Sequence, residues 1–169
     1  MKYAVIYQSR SGNTRLIAER IYQTLDTSEK ELIDLDITSE VPKADVYFVG
    51  FGVHDYFCSI HVLNALDQIT SGRIGLFATC GYLPAEQYKA NLEKRLDVWM
   101  PEGVDYLGMF LCQGKVEADQ KKKMIEQLPD REKELKHMFK IGKTHPDQED
   151  LEEAEDFAMV ILEKIEGLA

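Results

Sequence analysis

At 169 residues the chain is long enough to bury a substantial core within one domain. It carries 30 acidic against 20 basic side chains, a net charge of −10, which argues against nucleic acid and fits a protein that meets basic partner surfaces. No stretch approaches the roughly 20 apolar residues of a membrane span, so no membrane insertion is expected. Met1-Lys2-Tyr3 enters a strand pattern at once, which argues against a signal peptide. The three cysteines, Cys58, Cys80 and Cys112, are too widely spaced for a disulfide framework or a zinc site, and a reduced, cytoplasmic setting is expected.

Strand-like and helix-like segments alternate, the pattern of an α/β fold with a parallel sheet. Tyr3–Gln8 is a continuous apolar run and predicts a central strand buried on both faces. It leads into Ser9-Arg10-Ser11-Gly12-Asn13-Thr14, and Thr14–Leu25 follows as a helix with Ile17, Ile21 and Leu25 on one face. A strand, a Ser/Gly/Asn/Thr turn and a helix start together make an anion site. Successive N–H groups and the positive end of the helix dipole point at one spot. The side chains of Ser9, Ser11, Asn13 and Thr14 are expected to add donors. The turn holds no carboxylate and so suits a phosphate. Neither GxxxxGK[ST] nor GxGxxG is present. One glycine among many hydroxyls fits a terminal phosphomonoester better than a pyrophosphate. Taken alone, the cluster also meets the needs of a helix N-cap.

Leu32–Ile37 alternates, with Ile33, Leu35 and Ile37 against Asp34 and Asp36, and predicts a half-exposed edge strand. Val46–Val49 is a third strand, ending in Gly50-Phe51-Gly52, and Ile60–Ile69 a helix. Ile74–Ala78 is a fourth strand, ending in Thr79-Cys80-Gly81, followed by a helix over Glu86–Leu96. Tyr106–Cys112 is a fifth, ending in Gln113-Gly114. The rest is helical: Lys115–Leu128, a Lys-rich Pro129–Thr144, and a last helix opened by Pro146 that buries Leu151, Ala154, Phe157, Ile161 and Ile165. Seven carboxylates within Asp147–Asp156 complement that helix's dipole and form a solvated face. Five strands with the second at an edge predict a sheet in the order 2-1-3-4-5, with a ligand at the carboxyl ends of its strands.

The turn Ser9-Arg10-Ser11-Gly12-Asn13-Thr14 resembles the phosphate loop of the flavodoxin family, roughly T/S-x-T/S-G-N/T-T, which holds the phosphate of FMN. The resemblance extends over essentially the whole chain, as one flavodoxin-like domain of residues 1–169 with a short-chain-type sheet and extra helices from about residue 115. It implies that the loop Gly52-Val53-His54-Asp55-Tyr56-Phe57 covers one face of the isoalloxazine ring. A carbonyl of Val53, His54 or Asp55 would accept a hydrogen bond from the reduced ring. Family members often place a tryptophan there. The single tryptophan of this chain, Trp99, lies elsewhere, so stacking falls to Tyr56 or Phe57. The loop Thr79-Cys80-Gly81-Tyr82 would offer N–H groups to the pyrimidine edge and Tyr82 to the other ring face, and Gln113 could touch the ring edge. His54 invites a role near the ring but reads more readily as a plain loop residue, and Cys80 as a small pocket-lining group.

The function so implied is that of an FMN-binding electron-transfer protein, taking electrons from a reductase and passing them to an acceptor enzyme. Alternatives are an FMN-dependent reductase of a quinone- or tetrapyrrole-like substrate and a non-redox module that binds a phospho-ligand. A response regulator is excluded, because Tyr7-Gln8-Ser9 supplies no acidic cluster at the strand end. A serine hydrolase is excluded by the lack of a GxSxG elbow. The four histidines form neither HExxH nor HxxEH, so no metal is expected.

Overall fold

The computed structural model describes residues 1–167. Its strands are β1 Tyr3–Tyr7, β2 Lys30–Asp34, β3 Val46–Gly52, β4 Gly72–Cys80 and β5 Val104–Gln113. They form one parallel sheet in the order β2-β1-β3-β4-β5. The helices are α1 Asn13–Thr24, α2 Ile60–Asp67, α3 Glu86–Asp97, α4 Ala118–Gln127, α5 Glu132–Ile141 and α6 Gln148–Gly167.

Side chains of a strand alternate between faces, and β1 shows both being buried. Val5 and Tyr7 pack with Ile17, Ile21, Ala158 and Ile161 under α1 and α6. Ala4 and Ile6 pack with Val62, Leu66, Leu92 and Leu96 under α2 and α3. The edge strand ends earlier than the alternation predicts. It stops at Asp34, Leu35 still turns into the core, and Ile37 is fully in solvent.

The chain beyond β5 departs most from the sequence reading. Helix α6, packed on α1, closes the α/β layers. Residues 115–144 form an excursion between β5 and α6, built from α4, a 3₁₀ turn at Pro129–Arg131, α5 and a second 3₁₀ turn at Gly142–Thr144. The single Lys-rich helix expected over Pro129–Thr144 is therefore split into three pieces. The excursion has its own small core, in which Leu135, Met138 and Phe139 are buried against Tyr82, Val116, Met124, Ile125 and Leu128. Its two ends are stitched together where the Lys115 N–H donates to the His145 carbonyl (2.8 Å).

Helix α6 begins two residues after Pro146, with Asp147 as its cap. The Asp147 Oδ1 accepts from the N–H groups of Glu149 (3.0 Å) and Asp150 (3.2 Å). The Asp150 Oδ2 accepts from the Asp147 N–H (2.7 Å) and lies 2.6 Å from His145 Nδ1. This reciprocal capping accounts for the close grouping of His145, Asp147 and Asp150 without a metal ion.

Candidate functional site

The turn after β1 leaves a row of backbone N–H groups without acceptors among the described residues, and its side chains do other work than expected. Gly12, at φ +90°, takes the left-handed conformation that carries the chain into α1. The backbone N–H groups of Ser11, Gly12, Asn13 and Thr14 find no acceptor among the described residues. They stand at the positive end of α1. The Ser9 hydroxyl accepts from the Arg15 N–H (3.1 Å) and so caps the helix. Asn13 Nδ2 donates to the Lys115 carbonyl (2.9 Å), and the buried Thr14 and Thr79 hydroxyls bond each other (2.9 Å). Gly114 makes the Asn13 bond possible, since a Cβ there would lie 2.5 Å from Asn13 Nδ2.

The loop after β3 makes a tight reversal. His54 and Phe57 exchange both backbone hydrogen bonds (2.9 and 3.0 Å), and between them Asp55 (φ +49°) and Tyr56 (φ +62°) are both left-handed. Two successive non-glycine residues in that region are strained, and this lifts Tyr56 to the loop tip. The Tyr56 ring lies over that of Tyr82, with centroids 6.0 Å apart and planes 21° apart. Tyr88 of α3 completes a cluster of three tyrosines. Phe57 points the other way, into the core, with its ring 6.4 Å from that of Trp99. It anchors the loop and does not face the groove.

A groove of about 340 Å³ runs past Val53, His54, Asp55, Tyr56, Tyr82 and Tyr88. It shares Arg10, Val53, His54, Gln120 and Met124 with a recess of about 90 Å³ over Ser11, Asn13, Thr14, Gly52, Thr79 and Cys80. Together they approach the size of a cofactor-sized pocket. Twelve of the seventeen residues singled out in the sequence line them; Ser9, Gly12, Phe57, Gly81 and Gln113 do not. Gln113 is buried and donates to the carbonyls of Gly81 and Met138 (both 3.3 Å), so it ties α5 to the third loop.

The sequence reading missed the wall opposite the sheet. Lys115, Val116, Gln120, Lys123 and Met124 all line the groove or its recess, and all come from the excursion. Arg10 pairs with Asp119 of α4 (3.1 Å) and Asp55 with Lys123 (3.9 Å). Both pairs are exposed and worth at most about 1 kcal/mol each. No local motif announces this wall; only the extra length after β5 hints at it.

Burial, and then the Arg10 charge, hold the His54 imidazole below its ordinary pKa, with Asp55 opposing. Burial pushes the Cys80 thiol up to about 12 and that of Cys58 to about 11, so both stay protonated and unreactive. Burial also raises Tyr82, to about 12.

A flavodoxin-domain family model matches residues 4–159. The chain belongs to the flavodoxin family. It is 31% identical over 168 residues to the flavodoxin-like domain-containing protein BilS of Clostridioides difficile, covering 94% of each chain. Among solved structures it resembles oxidised flavodoxin 2 of Bacillus cereus, with a TM-score of 0.59, 18% identity, and 97% of this chain and 99% of that one covered. It also resembles a flavoprotein of Lactobacillus acidophilus solved in complex with FMN (TM-score 0.50, 18% identity, 65% of this chain and 92% of that one). At these identities the solved structures establish the fold alone. In this flavodoxin-family protein the helical excursion 115–144 is placed against all three loops at the carboxyl edge of the sheet. Among the described residues, no helix is long and apolar enough to cross a membrane.

Proposed function

We propose that this flavodoxin-family protein is an FMN-dependent electron carrier that receives electrons from a reductase and delivers them to an acceptor protein. The observation that carries this reading is the meeting of two features in one groove. The unpartnered N–H groups of Ser11–Thr14 open into the same space as the Tyr56–Tyr82 pair. One end suits a phosphate dianion and the other a flat, apolar ring, which is the chemical division of FMN.

FMN, when bound, supplies the one- and two-electron chemistry, and the protein's residues hold and shield it. Ser11, Gly12, Asn13 and Thr14 would bind the phosphate through backbone N–H groups. Tyr82, packed on the excursion core, is the fixed aromatic wall. Tyr56 is the adjustable one, at a half-exposed loop tip. Their rings now form an offset stack with each other, centroids 6.0 Å apart, so Tyr56 would have to swing aside for a flat ring to enter between them. Met124 and Val116 exclude water from the far side of the groove. The protonated thiol of Cys80 offers no nucleophile to compete with electron transfer.

Purified protein tests the reading directly. It should be yellow and release about one FMN per chain on acid treatment. A colourless protein that binds simple phosphate esters and ignores FMN would assign the turn to a phospho-ligand module.

A further inference from the structure

Beside the groove, and sharing Tyr56 and Tyr88 with it, lies a second cavity of about 600 Å³. It is lined by Tyr56, Tyr88, Asn91, Leu92, Lys94 and Arg95. The guanidinium of Arg95 sits over the Tyr56 ring at 5.9 Å. This face belongs to α3, whose periodicity sorts its charges. At 100° per residue, Tyr88, Asn91, Lys94 and Arg95, with Val98 and Trp99 just past the helix end, fall on one flank. The acids Glu86, Glu93 and Asp97 fall on the other, where Glu93 bonds the Tyr106 hydroxyl at 2.5 Å. The first flank ends in an exposed apolar group, with Val98 79%, Ile60 62% and Trp99 51% accessible.

A chain of net charge −10 thus presents a basic and aromatic face next to its candidate cofactor groove. Acids also border this face: Asp55, held beside Lys123, Asp67 at the Trp99 end, and Asp97, which directly precedes Val98. We infer that this flank of α3, with the Tyr56 loop, is a docking surface for a redox partner whose own surface is rich in carboxylates. The inference rests on the electron-carrier reading and specifies the partner. Charge within a Debye length, about 10 Å at 0.1 M salt, governs the docked complex, so the local sign outweighs the net charge at short range. From Tyr88 to Trp99 the face runs roughly 16 Å, more than one small ion would cover. Its Tyr, Arg and Trp are the residue types that anchor protein interfaces. A molecule seated there lies against Tyr56 and Tyr88, which also line the groove. That arrangement suits a partner that exchanges electrons across an aromatic contact better than a substrate that must touch the cofactor.

The test uses native cytochrome c, which is basic, and succinylated cytochrome c, in which lysines become carboxylates, as paired probes of one shape. Trp99 is the only tryptophan, so its indole N–H gives a single ¹⁵N–¹H signal. At about 0.1 M salt the succinylated probe should shift or broaden that signal, and calorimetry should show binding that weakens as salt rises. Lys94→Glu with Arg95→Glu should weaken that binding about tenfold or more. Lys43→Glu, at the amino end of the sheet, should leave it within about twofold. The milder Lys94→Gln should fall between. A succinylated probe that leaves Trp99 unmoved, or a native probe that binds this face more tightly, would overturn the inference. So would a Trp99 shift that follows protein concentration alone, which would assign the face to a second copy of the chain. The titration is run with and without FMN. Docking retained by a protein that takes up no flavin counts against the cofactor reading and leaves the docking surface standing.

Discussion

A glutamate introduced at Ser11 or Thr14 places a negative charge among the N–H groups that would meet the phosphate. FMN affinity should fall by about 1.5–3 kcal/mol, the worth of a charged hydrogen bond, while riboflavin, lacking the phosphate, should lose far less. Calorimetric titration of both ligands checks this, and equal losses would put the phosphate elsewhere. Ser11 is the cleaner site, because Thr14 is buried against Thr79 and its replacement also disturbs the fold. His54 should titrate below the ordinary histidine value of about 6.5. The folded protein then takes up this proton later than the unfolded chain, so the His54 contribution to stability is present above about 6.5 and is lost as pH falls below it. Arg10→Gln should raise the His54 midpoint in an NMR titration by removing a repelling charge. Tyr82→Ala should weaken flavin binding and raise residual flavin fluorescence, and Tyr56→Ala should do the same to a smaller degree. At this scale the sequence identifies which loops meet, since strand ends and turn chemistry fix that. It does not show where a loop side chain points. Phe57 follows Tyr56 directly, yet the double left-handed turn sends the two rings in opposite directions. Ser9 and Gln113 are polar at the site's edge, and both are used up in holding backbone.

The excursion 115–144 is the element that sets this protein apart from a plain five-stranded sheet with its helices. Its core rests on few residues, Leu135 most of all, so Leu135→Ala should cost it about 2–5 kcal/mol. Because the sheet does not depend on that core, hydrogen exchange should quicken over residues 115–144 while β1, β3 and β4 stay protected. FMN should bind more weakly in the same variant, because Tyr82 and Met124 lose their packing. Unchanged flavin affinity would mean that α4 does not shape the site. Strands β1, β3, β4 and β5 and helices α1 to α3 were legible because each couples a clear period to a clear stop. Helix α4 was legible as a helix but not as a wall of the site. None of its residues is fully buried, so its sequence carries no strong stripe to mark a docking face.

On the scale of the whole molecule, composition gives a net charge but not where the charge lies. The value of −10 points to basic partners, whereas the flank of α3 beside the groove is basic itself. The family and the sheet order follow from the alternation of strands and helices together with one turn. The choice between carrier and reductase depends on what reaches the groove, which is a property of surfaces. The central proposal is that this protein draws its electrons from a partner protein and not directly from a nicotinamide. Stopped-flow reduction of the FMN-loaded protein by NADPH, alone and with an added flavodoxin reductase, tests it most directly. Slow, unsaturating reduction by NADPH alone and fast reduction once the reductase is present are the expected results. Rapid, saturable oxidation of NADPH by the protein alone would contradict the proposal and identify a reductase in its own right.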